Sequence, residues 1–252
     1  MYQKFPQKIV ATIEARMTSS RLPGKVMLPL AGKPSTERLI ERLKRSAYID
    51  EIIIATTVNV ADDILEELAN CLRVKCFRGS EEDVLGRVLA AAEANKAEII
   101  VEVTGDCPLV DHRLIDRGIE EFFNRKIDYA SNIIPVTFPI GFDVQVFPTK
   151  VLAEVARLTT DPVDRVHVSY YIYNHPEQYR LYNWSAEGEY YWPELRVTLD
   201  EKADYELLKI IFERLLPINE DFTALEVIKF LRANPKLLDI NKHVRQKEID
   251  EE

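Results

Sequence analysis

The sequence predicts an α/β fold in which a three-layer, doubly wound and mostly parallel sheet carries helices on both faces. In the first half of the 252 residues, short apolar runs rich in β-branched residues alternate with longer segments of helical periodicity. These runs are apolar at successive positions, as expected of parallel strands that helices cover on both sides. A content of 46% hydrophobic residues is enough for one sizeable core. The pattern therefore favours right-handed strand–helix–strand crossovers within one sheet.

The predicted elements of the first half follow one another as strand and helix. Apolar positions that recur along each helical segment give it one buried face. Ser35, Asp62 or Asp63, and Asp111 stand where a helix N-cap is expected. Strands are predicted at residues 9–13, 52–57, 74–77 and 99–103, with helices that begin near residues 35, 62, 82 and 111.

The second half is less regular. Asp161 followed by proline is typical of a helix start, and residues 223–226 read Thr-Ala-Leu-Glu, a capping box. No linker divides the chain, so residues 1–240 are predicted to form a single domain in which residues 130–200 make a substrate-side lobe. Residues 241–252 are predicted to be a charged, solvated tail. Strands are predicted at residues 128–132, 142–147, 180–184 and 196–199, and helices at 149–157, 161–174, 203–216 and from residue 223.

Composition excludes several classes of protein. The net charge of −9 argues against a nucleic-acid binder, because that affinity depends on clustered Lys and Arg. No run of about 18 or more apolar residues is present, so no membrane span is predicted, and residues 1–10 lack the pattern of a secretory signal. Three cysteines are too few for a disulfide framework or a zinc site, which favours a reducing, cytoplasmic location.

Residues 9–34 begin as a strand and continue as a polar loop with three cations, Arg16, Arg21 and Lys25. Small hydroxyl side chains, Ser19 among them, lie between these cations. Ligands of open α/β sheets bind at the carboxyl ends of the strands, so this loop is suited to hold a polyphosphate. A solvated basic loop is the alternative interpretation. The glycine pattern fits neither a Walker loop nor a dinucleotide-binding turn, so the side chains would have to hold the phosphates.

Two carboxylates also follow predicted strands. Asp106 lies in the run 104–111 after the fourth strand, and Asp200 ends the run 196–200. Because these strand ends share one edge of the sheet, the two carboxylates are placed to hold Mg²⁺ together with phosphate oxygens. Taken alone, Asp106 is also consistent with a Gly-Asp turn, and Asp200 with a helix cap. Cys107 has no histidine partner in sequence and is interpreted as a packing residue.

Residues 161–176 hold a further group of polar and aromatic side chains. Arg165 and His167 are suited to bind an acidic substrate, although a partly buried histidine satisfied by its neighbours is the commoner role of such a residue. The tyrosines of this segment are interpreted as core or subunit-interface residues.

The run ARMTSSRLPGK at residues 15–25 resembles the nucleotide-binding signature of the sugar-acid cytidylyltransferases, such as the CMP-sialate and CMP-octulosonate synthetases. The likeness is fuller to the branch named for spore coat polysaccharide biosynthesis protein F, and it covers roughly residues 8–215. Each run is weak alone, but their combination is specific. The runs that carry the likeness are IATT (54–57), FRGSEEDVL (77–85), TGDCPL (104–109), GFDV (141–144), RVHV (165–168) and VTLD (197–200).

The resemblance implies a nucleotide-diphosphosugar-transferase-like fold and a homodimer formed through the lobe of residues 130–200. It also implies Mg²⁺-dependent transfer of a CMP group from CTP to a hydroxyl of an acidic sugar, with release of pyrophosphate. Such a reaction would activate a precursor of a surface polysaccharide or glycan. The branch more often has Glu before the histidine, where this chain has Val166.

The resemblance also assigns roles to individual residues. Asp106 and Asp200 would hold the metal, and Arg16 and Lys25 would act with them in catalysis. The acceptor would meet Asp143, Arg165 and His167. The residues assigned to the nucleotide are Ala15, Arg16, Ser19, Arg21, Lys25, Ala55, Thr56, Arg78 and Asp106.

Transfer of this kind is an in-line attack on the α-phosphorus, in which positioning and neutralisation of charge supply most of the catalysis. The sequence identifies no general base. Two alternatives stay open: a glycosyltransferase that uses a nucleotide sugar, and a non-catalytic nucleotide-binding subunit. The first usually carries an Asp-x-Asp metal motif, and this chain has Asp106-Cys107-Pro108 instead.

Overall fold

Seven strands form one central sheet in the computed structural model, which describes residues 4–246. The strands of these residues are β1 (Ile9–Glu14), β2 (Pro29–Leu30), β3 (Lys33–Pro34), β4 (Glu51–Thr57), β5 (Lys75–Gly79), β6 (Ile99–Thr104), β7 (Tyr129–Ser131), β8 (Gln145–Pro148) and β9 (Leu181–Asn183). The sheet has the order β5-β4-β1-β6-β8-β7-β9, and β2 pairs with β3 in a separate hairpin. Strands β5, β4, β1 and β6 are parallel, whereas β8 is antiparallel to both of its neighbours.

Helices cover both faces of this sheet. The helices of residues 4–246 are α1 (Ser35–Leu43), α2 (Asp63–Leu72), α3 (Val84–Ala94), α4 (His112–Asn124), α5 (Thr149–Leu158), α6 (Pro162–Val166), α7 (Tyr170–Asn174), α8 (Lys202–Leu215) and α9 (Ala224–Ala233). Successive side chains of β1 point to opposite faces. Ile9 and Ile13 join the core beneath α1, α4 and α8, whereas Val10 joins the core beneath α3 and α5. The predicted three-layer α/β fold with a mostly parallel sheet is confirmed.

Local signals set several helix starts as predicted. Asp111 caps α4 by accepting a hydrogen bond of 3.0 Å from the amide of Arg113. Thr223 and Glu226 form the predicted capping box of α9. The prediction for Ser35 is wrong, because Ser35 is the first residue of α1 and its Oγ donates instead to the carbonyl of Lys25 at 2.9 Å. Ser35 therefore ties α1 to the polar loop.

Two predicted elements of the second half differ from the structure. Residues 161–174 form the two short helices α6 and α7, because His167 leaves the helical region at ψ 86° and the Ser169 hydroxyl donates to Gln145 Oε1 at 2.8 Å. Valine and aromatic residues, which have low helix propensity, favour such a break. Residues 196–199 make only one bridge, between Arg196 and Ile140, so they are not a strand of the sheet.

The end of the described chain is packed more closely than the sequence predicts. Asn241 and Val244 are buried, and Asn241 Nδ2 donates to Asp204 Oδ1 at 2.9 Å. The remainder of the predicted tail, residues 247–252, lies outside the described residues. Among residues 4–246, no helix is both long and apolar enough to cross a membrane.

Gly118 sets how closely α4 approaches the sheet. A Cβ atom at this position would lie 2.6 Å from Val144 Cγ1 and 2.9 Å from Trp184 Cη2. Both neighbours are buried, at 0% and 2% exposure, so neither can move aside into solvent. The close packing of α4 therefore requires a glycine here.

We expect Gly118→Ala to lower the free energy of unfolding by about 1–3 kcal/mol, because overpacking outweighs the gain in helix propensity. Urea denaturation followed by circular dichroism measures the change. Arg117→Ala, at the adjacent exposed position of α4, is the matched control and should stay within about 0.5 kcal/mol of the parent. A Gly118→Ala variant as stable as the control would contradict this account of α4.

Candidate active site

A cavity of about 1060 Å³ opens at the carboxyl ends of β1 and β6. Its walls come from the polar loop after β1, the loop before α3, the end of β6, and the segment from α6 to α7. The sequence-predicted residues that line it are Ala15, Arg16, Ser19, Arg21, Lys25, Asp106, Arg165, His167 and Asp200. The structure thus brings together residues that are far apart in the chain.

The polar loop is held in shape by backbone contacts. Gly24 adopts φ +73°, which favours glycine, and its amide donates to the carbonyl of Met17 at 2.8 Å. The amide of Met17 donates to Asp62 Oδ1 at 2.7 Å. Asp62 is fully buried and also accepts a hydrogen bond from the Thr57 hydroxyl at the end of β4. Asp62 therefore anchors the loop to the sheet, a long-range role that the sequence analysis did not predict.

The Lys25 ammonium lies between the two predicted metal carboxylates. Its Nζ is 3.1 Å from Asp106 Oδ2 and 2.7 Å from Asp200 Oδ1. Burial lowers the pKa of Lys25, but the charges of Asp106 and Asp200 outweigh it, so the pKa is raised. Burial raises the pKa of Asp106, but Lys25 and the Thr104 hydroxyl outweigh it and hold this pKa at about 2. Lys25 and Asp106 are therefore both charged at neutral pH.

Asp200 has two further cationic neighbours. Arg21 Nη2 lies 2.9 Å from Asp200 Oδ1, and Arg196 Nη2 donates to Asp200 Oδ2. Arg196 also contacts Asp204, with Nε 3.3 Å from Oδ1. A backbone bond of 2.8 Å from the amide of Leu199 to the carbonyl of Asp106 fixes the two segments side by side. Asp200 thus contacts three cationic side chains, Arg21, Lys25 and Arg196, which its sequence context did not indicate.

The arrangement fits a divalent cation that shares its ligands with a phosphate. Oxygens of Asp106 and Asp200 contact one ammonium, so they converge on one point that a cation can take. Within residues 4–246 no group of three or more metal-ligating side chains is present. Two carboxylates completed by phosphate oxygens and water are the usual Mg²⁺ site of a nucleotide enzyme.

Arg16 is held at the mouth of the cavity by Glu81. Arg16 Nη1 lies 3.0 Å from Glu81 Oε1, and the Thr18 hydroxyl and Asn59 Nδ2 donate to the same carboxylate. These hydrogen bonds, with the charge of Arg16, lower the pKa of Glu81. The sequence places Glu81 in the FRGSEEDVL run but gives no sign of this contact across the cavity.

The predicted acceptor residues are only partly brought together. Arg165 lines the cavity, but its Nη2 is ion-paired with Asp83 and its Nη1 donates to the carbonyl of Ala156 at 3.2 Å. His167 lines the same wall. Asp143 lies outside the lining residues, and its Oδ2 accepts a hydrogen bond of 3.3 Å from the amide of Gly141. Burial raises the pKa of Asp143 to about 6.

Three of the residues assigned to the nucleotide, Ala55, Thr56 and Arg78, are absent from the cavity lining. Ala55 and Thr56 are fully buried in β4. The Arg78 guanidinium contacts α2, where Nη1 lies 2.6 Å from Asp63 Oδ1 and 3.1 Å from Glu66 Oε2. A nucleotide would have to displace these partners before Arg78 could contact it.

Glu14 and Glu102 line the cavity and were not predicted as site residues. Each interrupts or ends an otherwise apolar strand, Ile9–Glu14 and Ile99–Thr104 respectively, and this was the signal available in the sequence. Burial raises the pKa of Glu102 to about 7. Burial and the neighbouring Glu102 raise the pKa of Glu14 well above its usual range, although Arg87 opposes this.

Residues 10–247 match the family model described as cytidylyltransferase. The chain is 36% identical to spore coat polysaccharide biosynthesis protein SpsF of Bacillus subtilis, over 90% of this chain and 95% of that protein. It is 34% identical to a 3-deoxy-manno-octulosonate cytidylyltransferase of Syntrophobacter fumaroxidans, over 45% of this chain and 46% of that one. The solved structure of a cytidylyltransferase from Leptospira borgpetersenii is similar at a TM-score of 0.88 and 30% identity, covering 96% of this chain and 99% of that chain.

We expect Asp62→Ala to lower the free energy of unfolding by about 1–3 kcal/mol, because it leaves the Met17 amide and the Thr57 hydroxyl without their partner. The Met17 amide should also exchange with deuterium faster, which mass spectrometry detects. Asp63→Ala, at the adjacent half-exposed position, is the matched control. Equal exchange at Met17 in parent and Asp62→Ala would contradict the anchoring role.

Lys25→Met should raise the pKa of Asp106 above its value of about 2, because burial then acts without the opposing ammonium. In the parent, ionised Asp106 stabilises the fold above the ordinary pKa of an aspartate, and this contribution is lost as the pH falls toward about 2. The Lys25→Met variant should lack this pH-dependent contribution to the free energy of unfolding. Carbon-13 NMR titration of aspartate carboxyls measures the pKa, with Lys25→Arg as the charge-conserving control. An Asp106 pKa that stays low in Lys25→Met would rule out Lys25 as its cause.

Proposed function

The chain belongs to the cytidylyltransferase family and is a nucleotidyltransferase, and from that premise we propose that it transfers a CMP group from CTP to a hydroxyl of an acidic sugar, releasing pyrophosphate. The observation that carries the proposal is the convergence of Lys25, Asp106 and Asp200 beside a loop of cations in the large cavity. The names of the two curated relatives point to a precursor of a surface polysaccharide or glycan as the product's use.

The loop after β1 would bind the triphosphate. Arg16, Arg21 and Lys25 bring three positive charges to one rim of the cavity, and Ser19 adds a hydroxyl donor. Ala15 lines the cavity beside them. Arginine suits bidentate contact with phosphate, and lysine acts as a point charge. These charges would offset the developing negative charge on the phosphates as the bond to the α-phosphorus exchanges.

Asp106 and Asp200 would hold a divalent metal ion, which we propose is Mg²⁺. The bound ion supplies neutralisation of phosphate charge and lowers the pKa of a coordinated hydroxyl. Lys25 now occupies the point on which both carboxylates converge, so it would exchange them for phosphate oxygens when the nucleotide binds. In the same way, phosphates would compete with Glu81 for Arg16.

The acceptor would enter between the loop of cations and the segment from α6 to α7. Arg165 and His167 line that wall, and Val166 lies between them in the lining. Arg165 would meet the acceptor carboxylate, provided it leaves its ion pair with Asp83. The roles of Ala55, Thr56, Arg78 and Asp143, a homodimer and a cytoplasmic location stay predictions.

We expect Asp106→Asn to lower the rate of pyrophosphate release from CTP, Mg²⁺ and a sugar acid by at least about 100-fold, because it removes one carboxylate of the metal site. Asp239→Asn is the matched control, since Asp239 is 65% exposed and pairs only locally with Lys242. A coupled assay for pyrophosphate measures the rate. Mg²⁺-dependent release that survives in Asp106→Asn would remove Asp106 from the metal site.

The donor and acceptor are tested by a matrix of four nucleoside triphosphates against a panel of sugar acids. The proposal expects pyrophosphate only with CTP and only when an acceptor is present. A glycosyltransferase would leave CTP intact, and a non-catalytic subunit would bind CTP without turnover. Either result would overturn the proposed function.

A further inference from the structure

The inner wall of the cavity carries two carboxyl groups that the proposed reaction does not use. Glu14 ends β1, and Glu102 lies on the adjacent strand β6. The register pairs Thr12 with Glu102, and the Thr12 hydroxyl lies 3.2 Å from Glu14 Oε1. The Glu14 side chain therefore leans back along β1 toward Glu102, on the sheet face covered by α3 and α5.

One oxygen of each carboxyl group lacks a hydrogen-bond partner. Glu102 is only 6% exposed, and neither its Oε2 nor Glu14 Oε2 has a partner among residues 4–246. A buried carboxyl oxygen without a partner costs free energy, so buried polar groups are nearly always paired. When such an unpaired carboxyl group also lines a cavity, it points to a ligand that supplies the missing hydrogen bond.

Two nearby arginines make their hydrogen bonds to other groups. Arg87 opposes the raised pKa of Glu14, but its Nη1 donates to the carbonyl of Ser80 rather than to a carboxylate. Arg165 on the facing wall is taken up by Asp83. The inner wall is therefore rich in carboxyl groups, whereas the rim that would hold the phosphates is rich in cations.

We propose that Glu14 and Glu102 bind a cationic amino group of the acceptor, which makes the acceptor an amino-substituted acidic sugar. An ammonium has three donors and no acceptor, so it satisfies both free carboxyl oxygens at once. Tyr170 and Tyr173 line the same cavity with their ring centroids 5.4 Å apart, and aromatic rings attract cations. A divalent metal fits less well, since no third metal-ligating side chain joins this pair among the described residues.

This inference rests on the proposed function, because the ligand is an acceptor only in that reaction. Its first test uses turnover. The probes are 3-deoxy-octulosonate and analogues in which one hydroxyl is replaced by an amino group or by an acetamido group. With CTP and Mg²⁺, we expect kcat/KM for at least one amino analogue to exceed that of its hydroxyl and acetamido counterparts by at least tenfold. In Glu102→Gln this preference should fall at least tenfold, whereas Glu67→Gln, an exposed glutamate of α2, should retain it. Equal use of the amino and hydroxyl acceptors by the parent would overturn the inference and leave the proposed function standing.

A second test does not depend on turnover. Binding of glucosamine and glucose to the protein without nucleotide is measured by NMR. We expect the parent to bind glucosamine at least tenfold more tightly than glucose, and Glu102→Gln to lack this preference. The same binding in Glu102→Gln as in the parent would overturn the amino site. A preference for glucosamine without pyrophosphate release from any acceptor would support the amino site and overturn the proposed function instead.

Thermal unfolding separates a binding role from a structural one. If Glu102 serves a ligand, Glu102→Gln breaks no contact on which the ligand-free fold depends, and the Tm of the ligand-free protein should stay equal or rise. A Tm that falls by several degrees, with the selectivity for amino acceptors unchanged, would show that the pair is part of the fold alone.

Discussion

The ammonium of Lys25 between Asp106 and Asp200 is the contact on which the rest of the site depends. Two carboxylates this close would repel each other strongly in a partly buried cavity, and the shared cation offsets that repulsion. The contact needs the loop after β1 to fold back toward the sheet. The positive φ of Gly24 and the hydrogen bond from the Met17 amide to the buried Asp62 hold it in that conformation. It also needs the backbone hydrogen bond from the amide of Leu199 to the carbonyl of Asp106. The position of Lys25 Nζ therefore depends on the sheet topology, on the conformation of the loop and on the charges around it.

Three arginines of the cavity are paired with carboxylates of the protein. Arg16 pairs with Glu81, Arg21 with Asp200, and Arg165 with Asp83. In a chain with a net charge of −9, these ion pairs neutralise the positive charges of the loop. They also mean that a polyphosphate binds by exchange, because each new contact costs an existing ion pair. A ligand that carries several negative charges together with a metal ion can replace several of these pairs at once, and a singly charged anion cannot.

The sequence predicted what local patterns determine. Apolar runs located the parallel strands, and Asp111 and the Thr223–Glu226 box located helix starts, because each signal lies within a few residues. Asp106 and Asp200 were predicted to meet because strand ends of one sheet share an edge. They do lie close together, but residues 196–199 are not a strand of that sheet, and the backbone bond from Leu199 to Asp106 places Asp200 there instead. The break at residues 167–169 depends on a bond from Ser169 to Gln145, and the roles of Asp62 and Glu81 depend on contacts across the fold. Such partners lie far apart in the chain, so no local pattern predicts them.

The opposite charges at the two ends of the cavity would also orient an acceptor. Glu102 lies two residues before Thr104 on β6, and Asp106 follows two residues later. The carboxyl pair and Asp106, the proposed metal ligand, therefore lie along β6 and the turn that follows it. At about 3.3 Å per residue, the Cα atoms of Glu102 and Asp106 are separated by roughly 13 Å or less, so one ligand in the cavity can lie near both. An acceptor held by its amino group at the inner wall would therefore direct its far end toward the phosphates. Orientation of this kind supplies catalysis by positioning, which matters most in a site where no general base is identified.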